Sequence, residues 1–210
     1  MARFFHSVVW REDPLRLLER FPIWLYSMWV RTTYPFATIG KNVQFHYTWD
    51  FRRYAAHRVK LGSSVIIGKD VHFGAYCPNG ERGEPMIVIE DGCGIHRRSQ
   101  ISAKNCIHIE QDVIMGPSAL IMDHNHEYED VTRPIKDQGL SVGGTIRIEQ
   151  GCWIGRGAAI VCNQGELVLG RNSIVAANAL VTKSFPPYSV LVGNPARLAR
   201  HYDPAKGIWI

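Results

Sequence analysis

The chain is poor in cysteine and has no long apolar run. Its 210 residues include five cysteines, an odd number without a C-x-x-C pair, which excludes a disulfide scaffold and is typical of a reducing compartment. No stretch reaches the roughly 18 apolar residues of a membrane-spanning helix. The first residues also lack the apolar core and the small-residue cleavage site of a signal peptide. We therefore expect a cytoplasmic protein that is soluble or at most peripheral to a membrane.

Positive charge is concentrated in the first part of the chain. The formal net charge is +5, yet residues 1–60 hold ten Lys and Arg against four Asp and Glu, which leaves 14 against 15 for residues 61–210. A basic segment rich in aromatic residues is compatible with a membrane surface, with a nucleic acid, or with a solvated face that contacts ligand phosphates. We favour the solvated face and predict no nucleic-acid partner.

Aliphatic residues recur every six positions along much of the chain. The large ones are Leu61, Ile67, Phe73, Ile89, Ile95, Ile101, Ile109, Met115, Ile121, Ile148, Ile154, Ile160, Leu169, Val175 and Val181. Most are followed four positions later by a small or β-branched residue, namely Val65, Val71, Cys93, Ser99, Val113, Ala119, Cys152, Ala158, Ser173 and Ala179. A period of six matches neither an α-helix nor a plain strand, so the pattern indicates a repeat architecture.

The six-residue unit has a direct physical interpretation. Two inward side chains, one large and one small, describe a short flat strand that ends in a turn, and stacked turns form a prism-shaped parallel β-helix with an aliphatic interior. Gly, Asp and Asn, such as Asp70, Asp112 and Asn172, suit the tight corners. The alternative, chance alternation in a β-sandwich, predicts less regular turn signals.

The repeat resembles that of the hexapeptide-repeat acyltransferases over roughly residues 39–198. This resemblance implies an all-β core that is a left-handed parallel β-helix, which we assign to residues 37–198, followed by a C-terminal tail at 199–210. The repeat breaks at 76–87 and 122–146. Because a break of this length in a compact domain is usually functional, the chemistry is expected there.

A short N-terminal helical segment is predicted before the repeat. Asp13 and Pro14 suit a helix start, and an apolar stripe follows with an interruption near Pro22, which together predict a short helical hairpin. We assign residues 1–36 to a helical cap over the open first coil. The alternative is peripheral membrane contact through this segment, with arginines such as Arg20 and Arg31 near the head groups.

The second break, the extended active-site loop 122–146, reads MDHNHEYEDVTRPIKDQGLSVGGTI. Two histidines beside acids suggest proton transfer, since a neutral imidazole takes a hydroxyl proton near neutral pH. In sugar-modifying members of the family the general-base His follows the last aliphatic residue by five positions, which implies that His126, five after Ile121, is the base. His124 is then the alternate base or a substrate contact, and Asp123 a candidate orienter or substrate contact.

The segments 151–157, GCWIGRG, and 181–200, VTKSFPPYSVLVGNPARLAR, form a second constellation. They closely resemble the coenzyme A end of the family. The resemblance implies that Trp153, Gly155 and Arg156 lie at the thioester and that Thr182 and Lys183 lie along the cofactor. It also implies that Arg197 and Arg200 hold the phosphates, as suits cations on an exposed chain end.

The expected acceptor pocket departs from the family pattern. Arg97 and Arg98 stand where sugar acetyltransferases commonly carry amides and aromatics. Two adjacent arginines suit an anionic acceptor such as an acidic sugar or a sugar phosphate, although solvent-exposed corner residues would look the same. We list both as candidate substrate-binding residues.

The sequence therefore predicts an acetyl-CoA-dependent O-acetyltransferase of a saccharide. Transfer is expected to be direct, because no G-x-S-x-G motif is present, and the resemblance implies a homotrimer. The alternatives are an N-acyltransferase on an amino or nucleotide sugar, a γ-carbonic-anhydrase-like zinc enzyme, and a non-catalytic β-helix module. Since the three-histidine ligand pattern of the zinc enzymes is missing, we predict no metal.

Overall fold

The computed structural model describes residues 14–48, 50–77 and 83–210, and for residues 14–19 it describes the backbone. Within these residues the chain is mostly short strands that wind through three parallel sheets in turn. Sheet A contains β1 Thr38–Ile39, β4 Val59–Leu61, β7 Ile87–Ile89, β10 Cys106–Ile109, β13 Gly143–Ile148 and β16 Gln164–Leu169. Each coil then enters sheets B and C.

Sheet B begins with β2 Gln44–Phe45, β5 Ile66–Ile67, β8 Gly94–Ile95, β11 Ile114–Met115, β14 Trp153–Ile154, β17 Ile174–Val175 and β19 Ser189–Val192. Sheet C contains β3 Asp50–Phe51, β6 His72–Ala75, β9 Gln100–Ala103, β12 Leu120–Met122, β15 Ala159–Val161 and β18 Leu180–Val181. Every pairing among these strands is parallel and joins one coil to the next, so the chain forms a three-sided parallel β-helix.

The hexapeptide pattern supplies the core of this prism. All fifteen large residues of the repeat are at most 2% exposed, and the ten small residues are at most 1% exposed. The large residues stack in register; in sheet A, for example, Ile89 pairs with Ile109 and Ile109 with Ile148. The prediction of an aliphatic interior is confirmed.

The corners use left-handed backbone, as the turn residues predict. Asp70, Asp112 and Asn172 have φ of 57°, 57° and 52°, and each directly precedes a small buried residue of the repeat. Asp and Asn tolerate this conformation better than most residues with a Cβ. Arg98 occupies the same corner position with φ of 61°.

Helix α1, Pro14–Thr33, crosses the first coil. It begins at Pro14 as predicted, whereas Asp13 lies outside the described residues. The predicted hairpin is wrong for the described part, because the helix continues through Pro22; losing one backbone hydrogen bond does not outweigh its packing on the coil. Val30 is fully buried in this packing. Ser27 is also buried, and its Oγ accepts the Phe45 N–H at 2.8 Å.

The last residues reverse direction. Strand β20, Arg197–Asp203, pairs antiparallel with β19, and β21, Ile208–Trp209, pairs antiparallel with β20. The predicted boundary at residue 198 therefore falls inside β20. None of the helices in the described ranges is both long and apolar enough to cross a membrane.

The irregular segments share one edge of the prism, where each coil passes from sheet C to sheet A. We call this the loop edge; its described residues are 52–58, 76–77, 83–86, 104–105, 123–142, 162–163 and 182–184. Two short 3-10 helices lie on it, Arg53–Arg58 and Ile135–Asp137. The described parts of the two breaks in the repeat thus lie at the same edge.

Candidate active site

A cavity of about 380 Å³ opens at the loop edge. It forms because the third coil crosses this edge in a two-residue turn, Lys104 and Asn105, while the coils on either side carry longer segments. Its lining comes from four successive coils: Phe51, Arg52, Tyr54, Ala55, His72, Phe73, Gly74, Ala75, Tyr76, Cys77, Ser102 and His124. This volume is in the range of small-molecule sites.

The chemical centre of the cavity is a buried carboxylate–imidazole pair. Asp123 has no exposed surface and His124 is 8% exposed. The Nδ1 of His124 lies 2.9 Å from Oδ1 of Asp123. Since an ionised carboxylate only accepts hydrogen bonds, Nδ1 is the nitrogen that donates to it, which leaves Nε2 as the ring nitrogen for proton exchange.

The Asp123 carboxylate is itself held in place. Its Oδ1 accepts the backbone N–H of Lys104 at 2.7 Å, and its Oδ2 accepts that of Asn105 at 2.9 Å. The short turn of the third coil therefore aims two donors at this carboxylate. Such bonds compensate the desolvation of a buried charge. Because they hold the carboxylate, they also hold the His124 ring that is bonded to it. A contact between Asp123 and an acceptor does not fit this complete burial.

His126 occupies a different environment. It is exposed and lies outside the cavity lining, on an arm of the loop that pairs antiparallel with the returning arm at Leu140. The loop is closed further along by Gln138, whose Nε2 donates to the carbonyl oxygens of Asp130 and Arg133. The cavity lining therefore contains His124 and not His126.

The residues expected at the thioester lie on another edge of the same chain. Trp153 is exposed on sheet B, and Gly155 and Arg156 form the turn from sheet B to sheet C. A side chain at Gly155 would place Cβ 2.7 Å from the Ala177 nitrogen, so the close packing of successive turns requires glycine there. One chain alone does not bring these three residues to the cavity.

The other predicted cofactor residues are exposed at the C-terminal end of the prism. Thr182 and Lys183 lie on the loop edge, two coils beyond His124, and the Lys183 ammonium lies 5.6 Å from the Phe185 ring centroid. Arg197 and Arg200 lie on β20, where the Arg200 guanidinium is 5.8 Å from the Trp209 ring. Exposed cations of this kind suit the phosphates of a nucleotide.

Arg97 and Arg98 lie away from the cavity. They form an exposed turn from sheet B to sheet C, on the same edge as Gly155 and Arg156 but two coils earlier. Sequence reasoning missed the cavity residues Arg52, Tyr54, His72 and Tyr76. Their place in the repeat could have indicated them. Residues 52–58 interrupt the six-residue repeat at the same corner of the coil as the breaks at 76–87 and 122–146.

The cavity holds a second imidazole with a weaker partner. The Nδ1 of His72 lies 3.0 Å from Oδ2 of Asp50, but that carboxylate side chain is 78% exposed. Solvent competes for an exposed pair, so it holds its geometry less firmly than the buried one. Among the residues that the structure describes, no group of three or more His, Cys, Asp or Glu side chains is placed to hold a metal ion.

None of the five cysteines, all of them described, forms a disulfide. Burial raises the pKa of Cys93 to about 11 and that of Cys152 to about 12, so both are uncharged at neutral pH. Burial also raises the pKa of Cys106. Cys77 is the cysteine that lines the cavity.

Curated relatives are acetyltransferases by name. The chain is 29% identical over 163 residues to Rv3034c of Mycobacterium tuberculosis, named a probable acetyltransferase; the match covers 78% of this chain and 49% of the relative. It is 23% identical over 157 residues to WbbJ of Escherichia coli, whose name is that of a putative lipopolysaccharide biosynthesis O-acetyl transferase. This match covers 72% of this chain and 76% of the relative. The chain spans about half the length of Rv3034c. No family model matches the chain.

Solved structures share the fold. The hexapeptide-repeat acetyltransferase VCA0836 of Vibrio cholerae, solved with acetyl coenzyme A, superposes with a TM-score of 0.57 at 26% identity, covering 72% of this chain and 76% of that one. The N-acyltransferase AntD of Bacillus cereus, solved with dTDP and coenzyme A, superposes with a TM-score of 0.68 at 16% identity. This match covers 86% of this chain and 90% of AntD. In its buried six-residue repeat and its left-handed parallel β-helix, the chain resembles the hexapeptide-repeat acyltransferases.

Proposed function

We propose that this chain is an acetyl-CoA-dependent O-acetyltransferase that acts on a hydroxyl of a saccharide. The observation that carries the proposal is the buried Asp123–His124 pair at the cavity, because the carboxylate orients the imidazole through Nδ1 and leaves Nε2 for proton transfer. Support comes from the coenzyme A complexes of VCA0836 and AntD and from the name of WbbJ. The similarity to AntD keeps N-acylation of an amino or nucleotide sugar as the second candidate.

In this account His124 is the general base. Its Nε2 takes the proton of the acceptor hydroxyl while the oxygen attacks the thioester carbonyl, and the coenzyme A thiolate leaves. Asp123 stabilises the imidazolium that forms. The carbonyl oxygen needs a donor as it becomes charged, a contribution on the order of 3 kcal/mol. The Gly155 N–H already donates to Val175 at 2.7 Å, so we assign this role to the backbone N–H of Arg156.

We place the acceptor in the cavity. Tyr54 and Tyr76 are half-exposed aromatic rings that suit the apolar faces of a sugar ring. Arg52 donates to the Tyr54 hydroxyl at 3.0 Å and would add a cation for an acidic sugar. The expected role of Arg97 and Arg98 requires a second copy of the chain, because they lie on another edge.

We propose that the donor site is completed by a neighbouring copy in a homotrimer. Gly155 and Arg156 lie on one edge, Trp153 lies on the adjoining sheet B, and His124 lies on another edge, so a catalytic site that uses all four needs two chains. Thr182, Lys183, Arg197 and Arg200 then bind the pantetheine and phosphates of acetyl-CoA. Five cysteines without a disulfide support a reducing compartment, and we propose the cytoplasm, where both substrates would meet the enzyme.

An acceptor screen tests the proposed function. The full chain is incubated with acetyl-CoA and a panel of saccharides, and release of the free thiol is followed. We expect thiol release with a saccharide acceptor, and we expect the acetylated product to lose acetate in mild alkali because it is an ester. A product that is stable to alkali would instead be an amide and would support N-acylation. Thiol release that does not depend on any saccharide or amine would contradict both.

His124→Ala is the negative control for this screen, and His126→Ala is its matched partner. Both replace a histidine by alanine two positions apart. If the His124→Ala protein retains wild-type thiol release, the cavity is not the site of transfer.

A further inference from the structure

Helix α1 has two apolar faces, and only one packs on the coil. The inner face carries the buried Val30 and Ser27. The outer face carries five large apolar side chains that are between 45% and 65% exposed, namely Phe21, Trp24, Leu25, Met28 and Trp29. Capping the first coil therefore accounts for one face and leaves the other without a role.

The outer residues form one continuous stripe. Their spacing of three, one, three and one positions is that of neighbours on a single helix face. Phe21 stacks on Trp24 with ring centroids 6.0 Å apart. Exposed apolar residues scattered singly are ordinary, but a contiguous patch of this size marks a binding surface.

The charges beside the stripe indicate what it binds. Arg20 and Arg31 are exposed, and a rotation of about 100° per residue puts both at one border of the stripe. The Arg31 guanidinium also donates to the Gly40 carbonyl at 2.7 Å, so Arg20 is the cation we test. The helix sequence contains three arginines and the single acid Glu19. A second copy of this face would bring like charges together, whereas an anionic surface would complement them.

We propose that the outer face of α1 docks the protein on an anionic lipid bilayer. Tryptophan and phenylalanine beside arginine are the composition of helices that lie in the plane of a membrane, with rings at the head-group level and cations on the phosphates. The stripe covers residues 21–29, about 12 Å of helix at 1.5 Å per residue. The helix therefore lies along the bilayer surface.

Vesicle co-sedimentation of the full chain tests the proposal. Vesicles of equal parts phosphatidylcholine and phosphatidylglycerol are compared with vesicles of phosphatidylcholine alone. We expect clear binding to the anionic vesicles and weaker binding to the neutral ones. Leu25→Gln with Met28→Gln should lower the partition coefficient about 10-fold or more, because two apolar side chains lose their burial in lipid.

Two controls make this test specific. Ile208→Gln with Ile210→Gln changes two aliphatic residues of similar exposure at the far end of the chain and should leave binding unchanged. Arg20→Gln should weaken binding to anionic vesicles about 5-fold and leave binding to neutral vesicles unchanged. Because the four aliphatic side chains are exposed, thermal unfolding of the Leu25, Met28 variant and of the Ile208, Ile210 variant should match the wild type.

Three results would overturn the proposal. The first is a wild-type chain that stays in the supernatant with anionic vesicles. The second is an equal loss of binding in the Ile208 and Ile210 control. The third is a Leu25→Gln, Met28→Gln protein that has a smaller assembled mass, with vesicle binding unaltered, since the stripe would then be a contact between copies.

Discussion

At the scale of single residues, the proposed chemistry depends on a carboxylate that solvent does not reach. Asp123 is fully buried, and it is stabilised by two backbone N–H groups and the imidazole of His124. Removing one partner of such a group leaves a buried charge unpaired, which costs several kcal/mol. The same bonds that stabilise Asp123 therefore hold the base in position.

Direct transfer predicts that the one thiol in the cavity lining is dispensable. Cys77→Ala should retain most of the wild-type turnover of acetyl-CoA with the best acceptor, because no covalent acetyl-enzyme forms on it. Mass spectrometry of the enzyme mixed with acetyl-CoA alone should show no added acetyl group. A dead Cys77→Ala protein that still folds, or an acetylated Cys77, would indicate a two-step mechanism through this thiol.

Arg98 is predicted to reduce stability at its corner. It adopts φ of 61° where equivalent corners carry Asp70, Asp112 and Asn172, and an arginine side chain gains nothing locally in that conformation. Arg98→Asn should raise the free energy of unfolding by about 0.5 kcal/mol, measured by urea denaturation. Arg97→Asn, which changes the neighbouring residue outside the left-handed region, should not; equal effects would mean that charge, and not backbone strain, is responsible.

At the scale of elements, the regular coil is far more predictable than the site it carries. Each hexad is a local rule, so the burial of Ile95 or Ile154 follows from six residues and a turn. The cavity is not local: Tyr54, His72 and His124 belong to three coils and meet only because the coils stack in register. Counting positions from Ile121 selected His126, since spacing alone does not show which side chain turns into the prism.

The helix boundary shows a similar limit. Pro22 is a strong local signal for a break, yet α1 continues through it. Its contacts with the first coil are between residues far apart in sequence, such as Ser27 and Phe45. Tertiary packing of this kind overrides a local preference, and the sequence pattern of the helix alone does not show it.

Ser27 is predicted to fasten the helix to the coil. Its Oγ accepts the N–H of the fully buried Phe45, so Ser27→Ala removes a hydrogen bond from a buried donor and should lower the free energy of unfolding by about 1–3 kcal/mol. Thr32→Ala is the control, because its hydroxyl bonds exposed carbonyls of the same helix. Urea denaturation compares the two. If both variants lose the same free energy of unfolding, the Ser27 hydrogen bond does not stabilise the packing of the helix on the coil.

At the scale of the whole molecule, the division of the predicted site between edges requires assembly. His124 lies on the loop edge, and Gly155 and Arg156 lie on the edge between sheets B and C. We therefore predict that light scattering of the purified chain gives three times 23.8 kDa. A monomer that transfers acetyl groups at the full rate would contradict the shared site.

The far end of the prism is predicted to bind the acyl donor. Arg197→Ala with Arg200→Ala should raise the Michaelis constant for acetyl-CoA about 10-fold and leave turnover at saturation nearly intact, since phosphate contacts bind ground and transition states equally. Added salt should weaken donor binding, because exposed charges are screened over about 8–10 Å. Lys41→Ala with Lys60→Ala, two exposed lysines of the first coils, should change neither constant. If the Michaelis constant for acetyl-CoA is unchanged in the Arg197→Ala, Arg200→Ala protein, neither arginine belongs to the donor site.

The most direct test of the account compares turnover of the His124→Ala and His126→Ala proteins at saturating acetyl-CoA and saturating acceptor. The buried, carboxylate-bound His124 predicts a loss of about 100-fold or more for His124→Ala, with donor affinity retained, and turnover close to the wild type for His126→Ala. The reverse result, an active His124→Ala protein and an inactive His126→Ala protein, would contradict the assignment of the cavity as the catalytic centre.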